Sequence, residues 1–120
     1  MSPDAAWKAF ERYVAKEMGG ERRGADYRDA SGGKNDIILQ GWSIECKKLA
    51  RPLFSDLRNA IKQAEEAAKA GDVSLAIVSK KNQAYDKAIV CMSIRQLQNI
   101  KVRLDMFEML TRSLSEPDQA

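Results

Sequence analysis

A chain of 120 residues is the length of one domain, enough to bury roughly two-thirds of the surface its unfolded form exposes. Its 44% hydrophobic and 31% charged residues are those of an ordinary soluble globular protein, and no apolar run approaches a membrane span. The chain has no histidine, which removes Ser-His and Cys-His catalysis and the usual mixed zinc sites. Cys46 and Cys91 are isolated and read as small buried hydrophobes in a reducing compartment, and the polar N-terminus lacks a signal-peptide core. The cytoplasm is therefore the expected location.

In chain order, Ser2 or Asp4 can cap a first helix that runs to about Met18 and stops at Gly19-Gly20. Trp7, Phe10, Val14 and Met18 form its apolar stripe, and Glu11 projects from within it. A carboxylate there either passes the core edge to solvent or reaches a buried partner, since burial without one is costly. From Gly19 to Lys34 the chain is rich in Gly, Arg, Asp and Ser and has no periodicity, so it reads as a loop or an irregular strand, and a loop of that length is usually functional or mobile.

Asp36 then opens an apolar run, Gly41-Trp42 interrupts it as a turn, and a second run carries Glu45, Cys46 and Lys47, which predicts a β-hairpin. Side chains alternate across a strand, so Glu45 and Lys47 share one face while Ile44 and Cys46 take the other. A paired strand brings Asp36 near Glu45 and Lys47. Two carboxylates converging from adjacent strands suit a hard divalent cation such as Mg²⁺, which takes oxygen ligands and keeps several waters. A lysine beside them can orient or help deprotonate a water and steady a phosphoryl transition state. A bare Glu-x-Lys more often lies on the wet face of a surface hairpin. The acid upstream and the hairpin context turn the reading toward nuclease chemistry.

Pro52 ends the strand, and a helix is predicted from Phe54 to Ala70, ending at Gly71. It crosses to a short buried strand, Val73 to Val78, expected to lie parallel to the Glu45 strand. Lys87 to Ser93 reads as a further strand buried on both faces, and Ser93 as the cap of a short helix through Leu97. Residues 100–106 alternate like a strand, yet Leu97, Ile100, Leu104 and Phe107 fit a helix, which is preferred. Val102, Met106 and Met109 then make a second apolar face that suggests an association surface and a two-fold homodimer. Residues 1–114 are expected to form the single domain and 115–120 a frayed tail.

Asp36 followed by Glu45-Cys46-Lys47 on the next strand resembles the signature of the PD-(D/E)XK nuclease superfamily, and the short chain resembles its archaeal-type Holliday-junction resolvases. Asn35 stands where the superfamily name has proline, and the gap between the two acids is short. The likeness covers about the first two-thirds of the chain. It implies an α/β fold with a restriction-endonuclease-like central mixed β-sheet flanked by helices, an αβββαβ core. It implies Mg²⁺ held by Asp36 and Glu45, with Mn²⁺ able to substitute, Glu11 as a third acid from the first helix, and Lys47 assisting the attacking water. Ser31, in the loop before the hairpin, and Gln63, on the small-residue face of the second helix, are further catalytic candidates by the same likeness. The implied activity is a structure-selective DNA endonuclease that leaves 5′-phosphate and 3′-hydroxyl ends, acting on branched four-way junctions as a homodimer.

The net charge of +3 is modest for a DNA-binding protein, but carboxylates gathered on a cation would leave the remaining surface more basic. Arg22, Arg23 and Arg28 precede the hairpin, Lys34, Lys48 and Arg51 flank or follow it, and Lys80 and Lys81 form a third group of expected phosphate contacts. Gly32 and Gly33 would let the backbone approach DNA closely. Two other functions compete: a nuclease of the same chemistry acting on linear, flapped or single-stranded DNA, and a non-catalytic DNA-binding module of the same fold.

Overall fold

The computed structural model describes residues 3–23 and 36–115, which form a mixed α/β arrangement. Helix α1 spans Pro3–Met18, strand β1 Glu21–Arg22, β2 Ile37–Ile38, β3 Trp42–Leu49, α2 Phe54–Ala67, β4 Val73–Lys80, β5 Ile89–Cys91 and α3 Ile94–Ser115. A single 3-10 turn over Tyr85–Lys87 leads into β5. Among the described residues no helix is long and apolar enough to cross a membrane.

The sheet is built around β4, which pairs with β3 in parallel and with β5 antiparallel. Trp42 lies opposite Val73 and Glu45 opposite Ala76. β1 and β2 form a small antiparallel pair beside it, tied to β3 by the Asp36 amide, which donates to the Ile44 carbonyl at 3.2 Å. The turn between β2 and β3 is closed by Trp42 N–H on the Leu39 carbonyl at 3.1 Å, with Gly41 at φ 86°. That is the third position of a type II turn, where a residue with a Cβ is strained.

The period-2 alternation of β3 decides what meets what. Ile44 and Cys46 are buried with Val73, Leu75 and Ile77 of β4 under Phe10, Val14 and Ala15 of α1, and this is the main core. The opposite face of the sheet is lined by small residues. Ser43, Ser74 and Ala76 are buried there, and Ser43 Oγ donates to the Ala64 carbonyl of α2 at 2.6 Å. Ala60 and Ala64, both fully buried, let α2 lie close. The first helix ends as predicted, in a Schellman motif: Gly19 N–H bonds the Lys16 carbonyl and Gly20 N–H the Ala15 carbonyl.

Several expectations are corrected. Trp7 is 40% exposed, because the face α1 buries is Phe10, Glu11, Val14 and Ala15, leaving Trp7 at its edge. α2 ends at Ala67 rather than Ala70, since Ala68 is already extended and its N–H turns back to the Glu65 carbonyl. The chain must leave the helix there to place the Val73 amide on the Gly41 carbonyl, 2.9 Å away. β5 is shorter than Lys87 to Ser93 and is not buried on both faces: Ile89 is 65% exposed, because β5 is the last strand of its sheet. The two helical pieces expected after Ser93 are one helix of 22 residues, with Ser93 Oγ accepting the Gln96 amide at its start.

α3 is held only near its beginning. Gln96 Oε1 accepts the Ser74 amide at 3.1 Å, Ile100 packs on the core, and Arg103 donates to the Gly71 carbonyl. From Lys101 to Ser115 every residue is exposed. The radius of gyration is 16.9 Å and the longest dimension 65 Å, where a compact chain of this length has a radius of about 14 Å.

Candidate active site

The expected hairpin is not formed as a ladder: β2 pairs with β1, and its link to β3 is the turn at Gly41 and the Asp36 amide on Ile44, while the Asp36 carbonyl accepts the Arg23 amide at 2.8 Å. The backbone is thus fixed on both sides, and the side chain turns along β3. Its Oδ2 accepts the backbone N–H of Cys46 at 2.7 Å, which pins the carboxylate against the middle of that strand. Glu45 and Lys47 flank the donor, Cys46, with Lys47 Nζ 3.4 Å from Glu45 Oε1. Alternation of β3 therefore places this acid and this lysine together on one face, with the Glu45 side chain only 12% exposed.

Glu11 arrives from α1. It is almost completely buried, and its Oε1 accepts from Arg22 Nε at 2.7 Å. Asp36 is the member shared by both pairs. Its charge raises Glu11 and, separately, raises Glu45. Burial is the largest cause in each case, and it lifts Asp36 as well. Glu45 is pushed up to about 7 by burial and then by Asp36, with Lys47 opposing. Against its burial, the Cys46 amide, Lys47 and hydrogen bonds with both glutamic acids favour the charge of Asp36. Below neutral pH the corner thus holds protons that a cation would have to displace.

Asp36 and Glu45, with Lys47 as their cation, offer oxygen ligands only. Such a set suits a hard divalent ion that is satisfied by one or two carboxylates and water. Among the described residues no group of three or more acidic or thiol side chains comes together closely enough to hold a metal. Asp36 and Glu45 are the candidate pair, and Glu11 stands behind Asp36, engaged by Arg22.

The remaining sequence candidates fall elsewhere. Arg22 is turned inward to Glu11 and Arg23 is buried, so neither is the surface phosphate contact expected; Arg22 ends the short strand β1, which pairs with β2, and Arg23 follows it. Lys48 rests over the Tyr85 ring, 5.1 Å from its centroid. Arg51, Lys80 and Lys81 are exposed, and Lys81 N–H closes on the Leu49 carbonyl, so these three gather near the end of β3. Gln63 is exposed on α2 and has no hydrogen bond or ion pair among the described residues. Arg28, Ser31, Gly32, Gly33 and Lys34 lie outside the described residues. Sequence reasoning missed the Arg22 partnership with Glu11, for which the eleven-residue separation gives no local signal.

Cys46 Sγ points into the core and burial pushes its thiol far up, which makes it a packing group and no nucleophile. Comparison with protein-family models, with curated proteins and with solved structures finds no match to this chain.

Proposed function

We propose that the protein is a metal-dependent DNA endonuclease of the PD-(D/E)XK type. The observation that carries the reading is the Asp36–Glu45–Lys47 corner: two carboxyls brought together under burial, one just before β2 and one on β3, with a lysine on the same strand face as the second. Burying like charges is unfavourable unless something compensates them. The order of elements, α1-β1-β2-β3-α2-β4, supports the restriction-endonuclease-like form of this fold.

Asp36 and Glu45 would hold Mg²⁺, or Mn²⁺ in its place. When bound, the cation supplies charge neutralisation at the phosphate and a more acidic water. The chain's own groups do the rest. The Cys46 amide keeps Asp36 in one orientation, so its carboxylate needs no reorganisation on loading. Lys47 orients the attacking water toward phosphorus and donates to the phosphate oxygens, and its link to Glu45 fixes its position. Arg22 holds Glu11 behind Asp36. Arg51, Lys80 and Lys81 offer the phosphate backbone exposed cations. Branched four-way junctions are the proposed substrate, by the resemblance to resolvases.

The test is cleavage of an end-labelled synthetic four-way junction and its matched linear duplex with Mg²⁺, with Glu45→Ala as the control. Symmetric nicks in the junction alone, lost in the variant, are expected. Equal cutting of the duplex would move the substrate to linear DNA, and binding without cutting of either would sink the catalytic reading.

A further inference from the structure

Beyond the site, α3 presents an apolar side that the other described residues leave uncovered. Leu97, Leu104, Phe107, Leu110 and Leu114 are each more than half exposed, and α3 contains no buried residue. A helical segment this short, standing in water with its apolar side uncovered, is marginal by itself. We infer that α3 docks antiparallel against α3 of a second copy of this chain.

The spacing selects the occupant. Leu97, Ile100, Leu104, Phe107, Thr111 and Leu114 recur at alternate steps of three and four, the seam of a two-stranded coiled coil. Run antiparallel about a two-fold axis between Asp105 and Met106, the exposed apolar members of that seam meet one another, Leu104 with Phe107 and Leu97 with Leu114, while Ile100 stays on the core of its own chain. In that register the flanking position of Lys101 lies against that of Glu108 of the other copy, and the symmetry forms this opposite-charge contact twice. An isologous contact of this kind closes on itself and needs no further partner.

The area agrees. Each such side chain carries roughly 60–120 Å² of apolar surface, so five of them supply on the order of 300–600 Å². Interface cores are about 65% apolar and standard interfaces take about 800 Å² per partner, which is the range these residues reach. A lipid surface fits less well, because the exposed segment sets Lys101, Arg103 and Arg112 against Asp105 and Glu108 and lacks the basic polar face that anionic membranes select. Val102, Met106 and Met109, the face the sequence suggested for association, lie off this seam, so they serve as the control that separates the two faces. The inference stands on α3 alone and does not depend on the nuclease reading.

The experiment is sedimentation equilibrium of the full chain and of surface variants, with helicity followed by circular dichroism. Wild type is expected to be a dimer, and Leu104→Asp with Phe107→Asp to weaken association at least about 100-fold, while Met109→Asp leaves it unchanged. Lys101→Glu and Glu108→Lys are each expected to weaken the dimer by roughly tenfold, and the two together to restore it. A chain that is monomeric at about 100 μM overturns the inference, as does a dimer indifferent to the Leu104/Phe107 pair. Failure of the double charge swap to restore association overturns the antiparallel register. A monomer that co-sediments with phosphatidylserine vesicles through Leu104 and Phe107 would assign the face to lipid instead.

Discussion

The corner at Asp36 and the outer half of α3 violate the same rule in opposite directions. At the corner, Glu11 and Glu45 are charged side chains withdrawn from water; on α3, Phe107 and Leu114 are apolar side chains held in it. Each arrangement costs free energy in the isolated chain, and in neither does the fold supply a full remedy. Places where local patterning and tertiary position disagree are where function is expected. The difference between them lies in rigidity. The corner is fixed by three hydrogen bonds of backbone amides around Asp36 and by the core beneath Cys46, whereas every residue of α3 beyond Arg103 is exposed. A rigid charged corner suits chemistry, and a free apolar rod suits association.

The largest test of that contrast is removal of one carboxylate. Glu45→Ala is expected to lower junction cleavage by about 10³-fold or more, the scale of losing a group that stabilises developing charge. The same variant should leave the oligomeric state unchanged. A loss of both together would mean that the two regions are one system.

Phenylalanine samples both environments. Phe10 is fully buried and Phe107 is 66% exposed. Phe10→Ala is expected to cost about 3–5 kcal/mol in urea unfolding. Phe107→Ala, measured on chain diluted to monomer, should stay within about 0.5 kcal/mol of wild type. A large cost for Phe107 in the monomer would place α3 against the body and break the comparison.

The third test is pH. Glu45 is near 4.5 when unfolded and rises to about 7 in the fold, so between those values the folded chain binds more protons than the unfolded one. Stability from this group is therefore complete below the unfolded value and is lost as pH rises through about 7. Glu45→Gln mimics the protonated form. It should match wild type near pH 5 and exceed it by on the order of 2 kcal/mol above pH 8, read by thermal melts across that range. Added Mg²⁺ should recover the difference in wild type alone. Equal melting curves at all pH values would mean that the corner is solvated.

How much of this was legible in the sequence follows from the range of each interaction. Asp36, Glu45 and Lys47 were readable because the period of a strand fixes faces without knowledge of the partner, and the burial of Ile44 and Cys46 agrees. The parallel pairing of β3 with β4 followed from a helix between two apolar runs. The exposure of β5 was hidden, since Ile89 and Val90 look the same whether a strand has one neighbour or two. The continuous α3 was half visible: Ser93 signals a cap, and nothing between Leu97 and Phe107 breaks a helix, yet the alternating residues 100–106 mimic a strand. Arg22 looked like a phosphate contact because sequence shows charge but not direction.

That arginine gives the smallest and most discriminating effect. Arg22 bonds Glu11 with side chains 20% and 2% exposed, so its removal leaves a buried carboxyl without its cation. Glu11 already lies above its ordinary range through burial and the charge of Asp36, with Arg22 opposing both. In Arg22→Gln it is expected to take up a proton rather than remain a buried anion, which limits the loss of stability to about 1–2 kcal/mol. With Arg22 gone, nothing opposes the burial and the Asp36 charge that raise Glu11, so the range over which stability falls with rising pH should extend slightly upward. If Arg22 instead serves DNA directly, Arg22→Gln would leave stability and its pH profile untouched and weaken junction binding with a smaller salt dependence. Melting the variant at pH 6 and pH 8, beside a salt titration of binding, separates the two.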